Sequence, residues 1–305
     1  MAEERRGTIY GAAAYLLWGL FPLYWPLLEP AGAIEILAHR IVWSLVFVAV
    51  VLTVTRAWSW LPRMRHDPAN VARLALAATV IAGNWAVYIW AVNNDHVVET
   101  SLGYFINPLV TVLLGVLVLK ERLRPVQWTA LAIGFVAVVV LTIGYGHPPY
   151  IALILAFSFG TYGLAKKSAG VGAVESLAFE TAVIAPFALV FLIGLGVSGH
   201  GHFTSEGAGH VLLLLSSGLV TAVPLLFFGA AATRVPLTTM GVLQYLAPIL
   251  QFALGITVLG EQMPAERWIG FGLVWLALAM FTTDMLMHRR RQLALAELTV
   301  EASAA

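Results

Sequence analysis

Residues 108–128 and 248–268 carry the same residue at seven positions, each pair 140 apart: Pro108/Pro248, Leu114/Leu254, Gly115/Gly255, Val118/Val258, Leu119/Leu259, Glu121/Glu261 and Trp128/Trp268. A bias toward Leu and Val accounts for the aliphatic matches, but not for a Pro, a Glu and a Trp in step. The offset also runs backwards, setting Glu35 on Glu175 and Arg40 on Glu180. The chain therefore reads as two copies of one unit, residues 1–146 and 147–287, followed by a cytoplasmic tail at 288–305. Each copy holds five apolar segments. Five is odd, so the second copy enters a membrane from the side opposite to the first. Inverted repeats of this kind build secondary transporters, with the site at the interface of the two halves.

Membrane insertion follows from composition. Hydrophobic residues make up 60% of the chain and charged residues 11%, against roughly 45–50% and 25% in soluble domains. Apolar runs of about 18 or more residues read as transmembrane helices. Ten such segments are expected, at 7–28, 33–54, 71–92, 98–119, 126–146, 149–165, 173–195, 210–230, 236–259 and 268–287. The sixth is the shortest of them. Their length and continuity predict helices; a membrane barrel would alternate polar and apolar residues in pieces of about ten. The fold class is thus an all-α integral membrane protein of ten helices in two inverted five-helix repeats.

With the N-terminus in the cytoplasm, all but two of the 17 Lys and Arg residues fall on the inside. The exceptions are Arg267, outside, and Arg40, within a span. This bias sets the orientation and an even number of spans, with both termini inside. The tail QLALAELTVEASAA is expected to be frayed helix or disorder. Trp25, Trp58, Trp60, Trp128 and Trp268 lie near predicted helix ends, where tryptophan anchors a helix at the interface. The chain has no cysteine, which removes disulfides, thiolate nucleophiles and cysteine metal sites. A net charge of +1 gives no nucleic-acid footprint.

The second span opens AIEILAHRIVWS. Ionisable residues in such a segment are costly and face the bundle interior or a wet cavity. Glu35 and His39 share a helix face at i,i+4; a structural network near the outer surface explains them as well as a proton-coupling role does. Arg40 points to a different neighbour and lies deeper, as a substrate or gate residue. Glu180, its counterpart in the repeat, is the leading candidate proton carrier, and otherwise a structural partner of Arg40 or of a helix end. His39 and Glu35 are further proton-coupling candidates.

The fourth and ninth spans carry matched prolines in LGYFINPLV and LQYLAPILQ. Proline frees backbone carbonyls, and matched interrupted spans point to a transport site. Tyr104, Asn107, Gln244 and Tyr245 lie within a turn of these prolines. Asn84, Trp85, Tyr88 and Asn93 in the third span are too polar and aromatic for a lipid face, and Trp18 lies nearby. The expected substrate-binding set is therefore Trp18, Arg40, Asn84, Tyr88, Tyr104, Asn107, Gln244 and Tyr245. Glu121 and Glu261 read as braces for the next helix in each copy. Glu99 and Asp284 read as interfacial. Gly11, Gly19, Gly160 and Gly163 read as points of close helix approach. His200, His202 and His210 read as a solvated outer loop, with metal binding as the alternative.

The segments EILAHRIVWS, GNWAVYIWAVNN, SLGYFINPLV, LVLKERL and LTTMGVLQYLAPILQFALG resemble the RarD subgroup of EamA-domain proteins, in the drug/metabolite transporter superfamily. The resemblance covers about residues 7–287. It implies ten helices in two inverted repeats, a bacterial inner-membrane location, and permeation or export of small metabolites or drugs. It also implies a central cavity lined mainly by helices 1, 3, 4, 6, 8 and 9. EamA-like repeats commonly carry an arginine in their second helix, matched here by Arg40; the second copy departs from this with Glu180. A passive channel or facilitator is the alternative function. A membrane enzyme is disfavoured by the lack of HExxH, cysteine or a GxSxG serine. No cofactor is called for. The expected partners are a small-molecule substrate and the bilayer, in a monomer or homodimer.

Overall fold

A computed structural model describes residues 2–62, 67–120, 122–167 and 173–304. Glu121, Arg63 and Arg65 lie outside the described residues. Twelve helices carry the argument, joined by short connections: α1 Ala2–Gly19, α2 Phe21–Tyr24, α3 Ala33–Val54, α4 Pro68–Val92, α5 Val97–Leu119, α6 Pro125–Tyr145, α7 Tyr150–Lys167, α8 Ala173–Ser198, α9 Ala208–Ala232, α10 Leu237–Leu243, α11 Leu246–Thr257 and α12 Ala265–Ala304. A 3-10 turn, Trp25–Leu28, comes directly after α2. No strand occurs among the described residues.

Among the described residues, eight stretches are long and apolar enough to cross a membrane: α3, α4, α5, α6, α8, α9, the α10–α11 segment and α12. The 22 residues of α3 rise about 33 Å, enough for a hydrocarbon core of about 30 Å. The expected first span is a bent pair, Glu3–Gly19 and Phe21–Leu28, with 43° between the two pieces. Pro22 and Pro26 lie in the second piece, where each removes a donor and disfavours straight helix before it. The expected sixth span is an apolar helix shorter than the others.

The matched prolines behave differently. Pro108 lies inside α5, which stays continuous. Before Pro248 the helix stops at Leu243 and resumes at Leu246. There the Gln244 amide donates to the Gly241 carbonyl at 3.0 Å, giving that helix end a side-chain partner. The C-terminal tail takes the helical one of its two expected forms. α12 runs on to Ala304, through Ala-, Leu- and Glu-rich sequence without Gly or Pro, a composition with high helix propensity.

The chain forms two compact units, residues 1–107 with 151–262, and residues 108–150 with 263–305. In the first, α3 packs on α8 and α9, α1 on α9 and α11, and α4 on α8. Trp25, Leu28, Ile36, Ile89, Leu155 and Leu214 make its dry core. The closest approach is α9 on α3, where a Cβ on Gly218 would overlap the backbone of Trp43. Gly11 and Gly19 closely approach the side chains of Leu243 and Leu250, as expected. Gly163 faces open space, contrary to expectation.

Glu261 and Glu99 cap helices in this unit. Glu261 accepts from the Val97 and Val98 amides at 2.5 and 3.0 Å. It holds the start of α5. Glu99 is 2% exposed and accepts from the Ile151 amide at 3.0 Å. A carboxylate at a helix N-terminus satisfies orphan amides and complements the dipole.

The second unit packs α6 along α12, with Gly270 against Leu141. Asp284, expected at the interface, forms an ion pair with Arg124. Arg267 lies 4.0 Å over the Tyr145 ring. Trp128 and Trp268 are exposed, as anchors should be, but Trp25 of the first unit is fully buried.

Candidate functional site

Arg40 sits on α3 inside the first unit and is 3% exposed. Its guanidinium carbon lies 4.0 Å from the Trp85 ring centre, 5.1 Å from Trp25 and 5.7 Å from Phe21. Nε donates to Thr221 Oγ1 at 2.8 Å. That hydroxyl in turn donates to the Ser217 carbonyl at 2.8 Å. Nη1 has no hydrogen-bond partner among the described residues. No carboxylate of the described residues pairs with Arg40 either. The alternative in which Glu180 is its structural partner is thereby corrected.

This arrangement is unusual energetically. Several kcal/mol is the usual effective penalty for burying one ion. Ring-face contacts return about 0.5–2 kcal/mol each, and one hydroxyl returns about 1 kcal/mol. Arg stacks readily because its planar guanidinium is weakly hydrated. The charge nevertheless lacks a counter-ion in this conformation.

Polar groups gather around it. Tyr24, Tyr88 and Tyr104 lie in the neighbourhood of the guanidinium. Tyr88 is 2% exposed, and its hydroxyl has no partner. One turn back on the same face of α4, the Asn84 amide donates to the Leu155 carbonyl at 3.0 Å and to Ser158 at 2.8 Å. Its Oδ1 has no partner. Of the expected binding set, Arg40, Asn84, Tyr88 and Tyr104 thus come together. Trp18 packs at the margin of the same core, edge-on to Tyr15 at 5.3 Å. Its carbonyl accepts from Gln251 at 3.1 Å. Gln244 serves its own helix end, next to Tyr245 at the α10–α11 break. Asn107 is buried at 9% exposure on α5.

Glu180 lies on α8, 3% exposed. It accepts from Ser176 at 2.5 Å and from the Tyr162 hydroxyl at 3.2 Å. Rings connect this group to the arginine cluster. Tyr88 meets Tyr104 at 5.7 Å, Tyr104 meets Phe159 at 6.1 Å, and Phe159 meets Tyr162 at 5.9 Å.

Glu35 and His39 belong to a third group. Glu35 accepts from the His202 amide at 2.6 Å and lies 2.8 Å from its Nδ1. His39 accepts from Trp43 Nε1 at 3.2 Å and stacks on Phe203 at 4.7 Å. The ring nitrogens of His210 face the carbonyls of His202 and Leu28. The histidine segment is therefore strapped to α3, where a solvated loop was expected. Among the described residues no group of three or more His, Asp or Glu is placed to hold a metal ion.

The sequence reading missed Thr221, Phe21, Gln251 and Tyr162, and mistook Trp25 for an anchor. Gln251 carried a legible signal, a lone amide within an apolar run. Thr221 and Tyr162 did not, since Thr and Tyr are common in spans for packing alone.

Apolar helices of membrane-crossing length enclose the buried Arg40, and this defines an integral membrane protein with a charged group in its interior. The sequence profile of the EamA-like transporter family matches the chain twice, over residues 5–143 and 149–283. The protein named RarD in Streptomyces exfoliatus is 57% identical over 95% of this chain and 92% of its own. The protein named RarD in Escherichia coli K12 is 42% identical over 95% and 98%. An uncharacterized transporter of Bacillus subtilis is 44% identical over 95% and 97%. A solved crystal structure, 22% identical, shares the fold with a TM-score of 0.58 over 93% of this chain and 98% of that one. The fold and these relatives define a multi-pass membrane transporter. The chain belongs to the EamA-like transporter family, in its RarD subgroup.

Proposed function

We propose that this protein is a secondary transporter that moves small metabolites or drugs across a bacterial inner membrane by alternating access. In this reading the bent first pair and the short α7 each cross the bilayer. That gives ten spans in two inverted repeats, 1–146 and 147–287, with both termini in the cytoplasm. The observation that carries the reading is Arg40, a cation within the bundle whose Nη1 lacks a partner. Substrate contacts come from Arg40, Asn84, Tyr88 and Tyr104, with Trp18, Asn107, Gln244 and Tyr245 along the path. Untargeted metabolite profiling of cells overproducing the protein, against cells lacking it, tests this. At least one small solute should change in level, and vesicles carrying the protein should move it. A profile with no change contradicts the reading.

Proton coupling is the finer part of this proposal. Arg is effectively always protonated and cannot carry the proton. Glu180 is a carboxylate within a span, and the ring series through Tyr104, Phe159 and Tyr162 supports communication with Arg40. Alternating access then exposes Glu180 to each side in turn, with its proton linked to substrate occupancy. Glu180→Gln should abolish transport driven by a pH gradient yet preserve exchange of substrate across the membrane. Normal gradient-driven transport by this variant makes the carboxylate structural. His39 and Glu35, tied into the outer strap, are the reserve carriers.

A further inference from the structure

Resting on the transport reading above, we infer that the Arg40 cluster selects a small organic monoanion: one carboxylate on an aromatic or aliphatic body. The sign of the charge comes from Arg40 itself. It is the one buried Lys or Arg among the described residues, and no carboxylate pairs with it. An anion is what the site lacks.

The magnitude of the charge comes from the same count. A single negative charge against one guanidinium leaves a neutral pair. A phosphate dianion leaves one net negative charge in a bundle interior that offers no second cation among the residues whose side chains are described. Uncompensated charge in such surroundings is strongly unfavourable. A ligand cation would face the guanidinium with like charge.

The open donors and acceptors fix the head group further. Nε is engaged by Thr221, and Nη1 is open. The Tyr88 hydroxyl and the Trp25 Nε1 are further buried donors of the cluster without a partner among the described residues. Nη1 and one such donor suit the two oxygens of one carboxylate, and charge-assisted bonds of this type are the strong ones. Asn84 Oδ1 can only accept, and it is unpartnered as well. A hydroxyl or N–H one turn along α4 from the carboxylate would satisfy it. Trp85, Trp25 and Phe21 supply ring faces and edges for the body of the ligand.

At 3% exposure Arg40 is sealed from solvent, so the ligand enters as the helices part. Binding therefore holds the protein in fewer conformations and stabilises it by mass action.

The test uses the full-length protein purified in detergent, with its melting curve recorded in the presence of four probes: benzoate, benzyl alcohol, benzylammonium and inorganic phosphate. Benzoate should protect, and the other three should not. Arg40→Met should weaken the benzoate effect about 30-fold or more in apparent affinity. Arg40→Lys, which keeps the charge and loses the planar fork, should fall between. Equal protection by the alcohol, the cation or phosphate overturns the inference. So does an absence of benzoate protection, or protection unchanged in Arg40→Met. The metabolite profile separates this failure from that of the transport reading. Changed solutes confined to cations, neutral compounds or dianions overturn the monoanion inference and leave transport standing. No changed solute overturns transport, while the melting curves still decide the ligand class.

Discussion

Replacing Arg40 with methionine is expected to abolish transport while leaving the protein folded and no less heat-stable. The two outcomes together identify an arginine kept for its ligand. An arginine that held helices together by an ion pair would cost about 3–5 kcal/mol on losing it, through the partner charge left behind. Here no carboxylate would be left behind, and the hydroxyl of Thr221 keeps its own bond to Ser217. Replacing buried charge by apolar side chains of similar volume stabilises by about 1–4 kcal/mol in favourable cases. Transport should fall by about 30-fold or more, because a buried charged contact to substrate is lost. Parallel melting curves and vesicle transport measure both. A large drop in melting temperature with transport retained would make Arg40 a structural residue.

Gly218→Leu should have the largest effect on the fold. The Cβ alone would overlap the Trp43 backbone, and backbone yields less readily than a flexible side chain. Relief requires α9 to move away from α3. Overpacking in a closed interior costs about 1–3 kcal/mol, and more when the obstacle is rigid. The site is affected as well, because Thr221 lies one turn beyond Gly218 and Arg40 nearly one turn before Trp43. Separating the helices lengthens the 2.8 Å bond between them. Loss of the monodisperse peak in size-exclusion chromatography, or a steep fall in melting temperature, is the expected result. Gly218→Ala should show the same change to a smaller degree. A leucine variant with normal melting and transport would contradict the close approach.

The class of fold was legible because bilayer insertion needs long apolar runs, and these survive any uncertainty about ends. Arg40 and Glu180 were legible for the same reason, since ionisable groups stand out against such a background. The bend after Gly19 was less so. Pro22 and Pro26 were visible, but proline is tolerated in membrane helices when neighbours satisfy the freed carbonyls. Pro108 and Pro248 illustrate that dependence: the same residue at the same repeat position lies in a continuous helix once and beside a break once. Whether a helix breaks beside a proline depends on nearby side chains such as Gln244, which periodicity does not register. Partners distant in sequence were hidden too. Glu261 capping α5 and Glu35 strapping His202 join residues more than 160 positions apart. Trp25 has the composition and position of an interfacial anchor, and only its packing against Arg40 distinguishes it.

The central claim is that the Arg40 cluster is a substrate site reached alternately from the two sides of the membrane. The cysteine-free chain permits a direct measurement. Tyr104→Cys introduces one thiol on α5 beside the cluster. Vesicles of each orientation are treated with a small, charged, impermeant thiol reagent, with and without a transported solute. The account predicts labelling from both sides, and protection from both sides when the solute is bound. Labelling from one side only, in the presence and absence of solute alike, would contradict it.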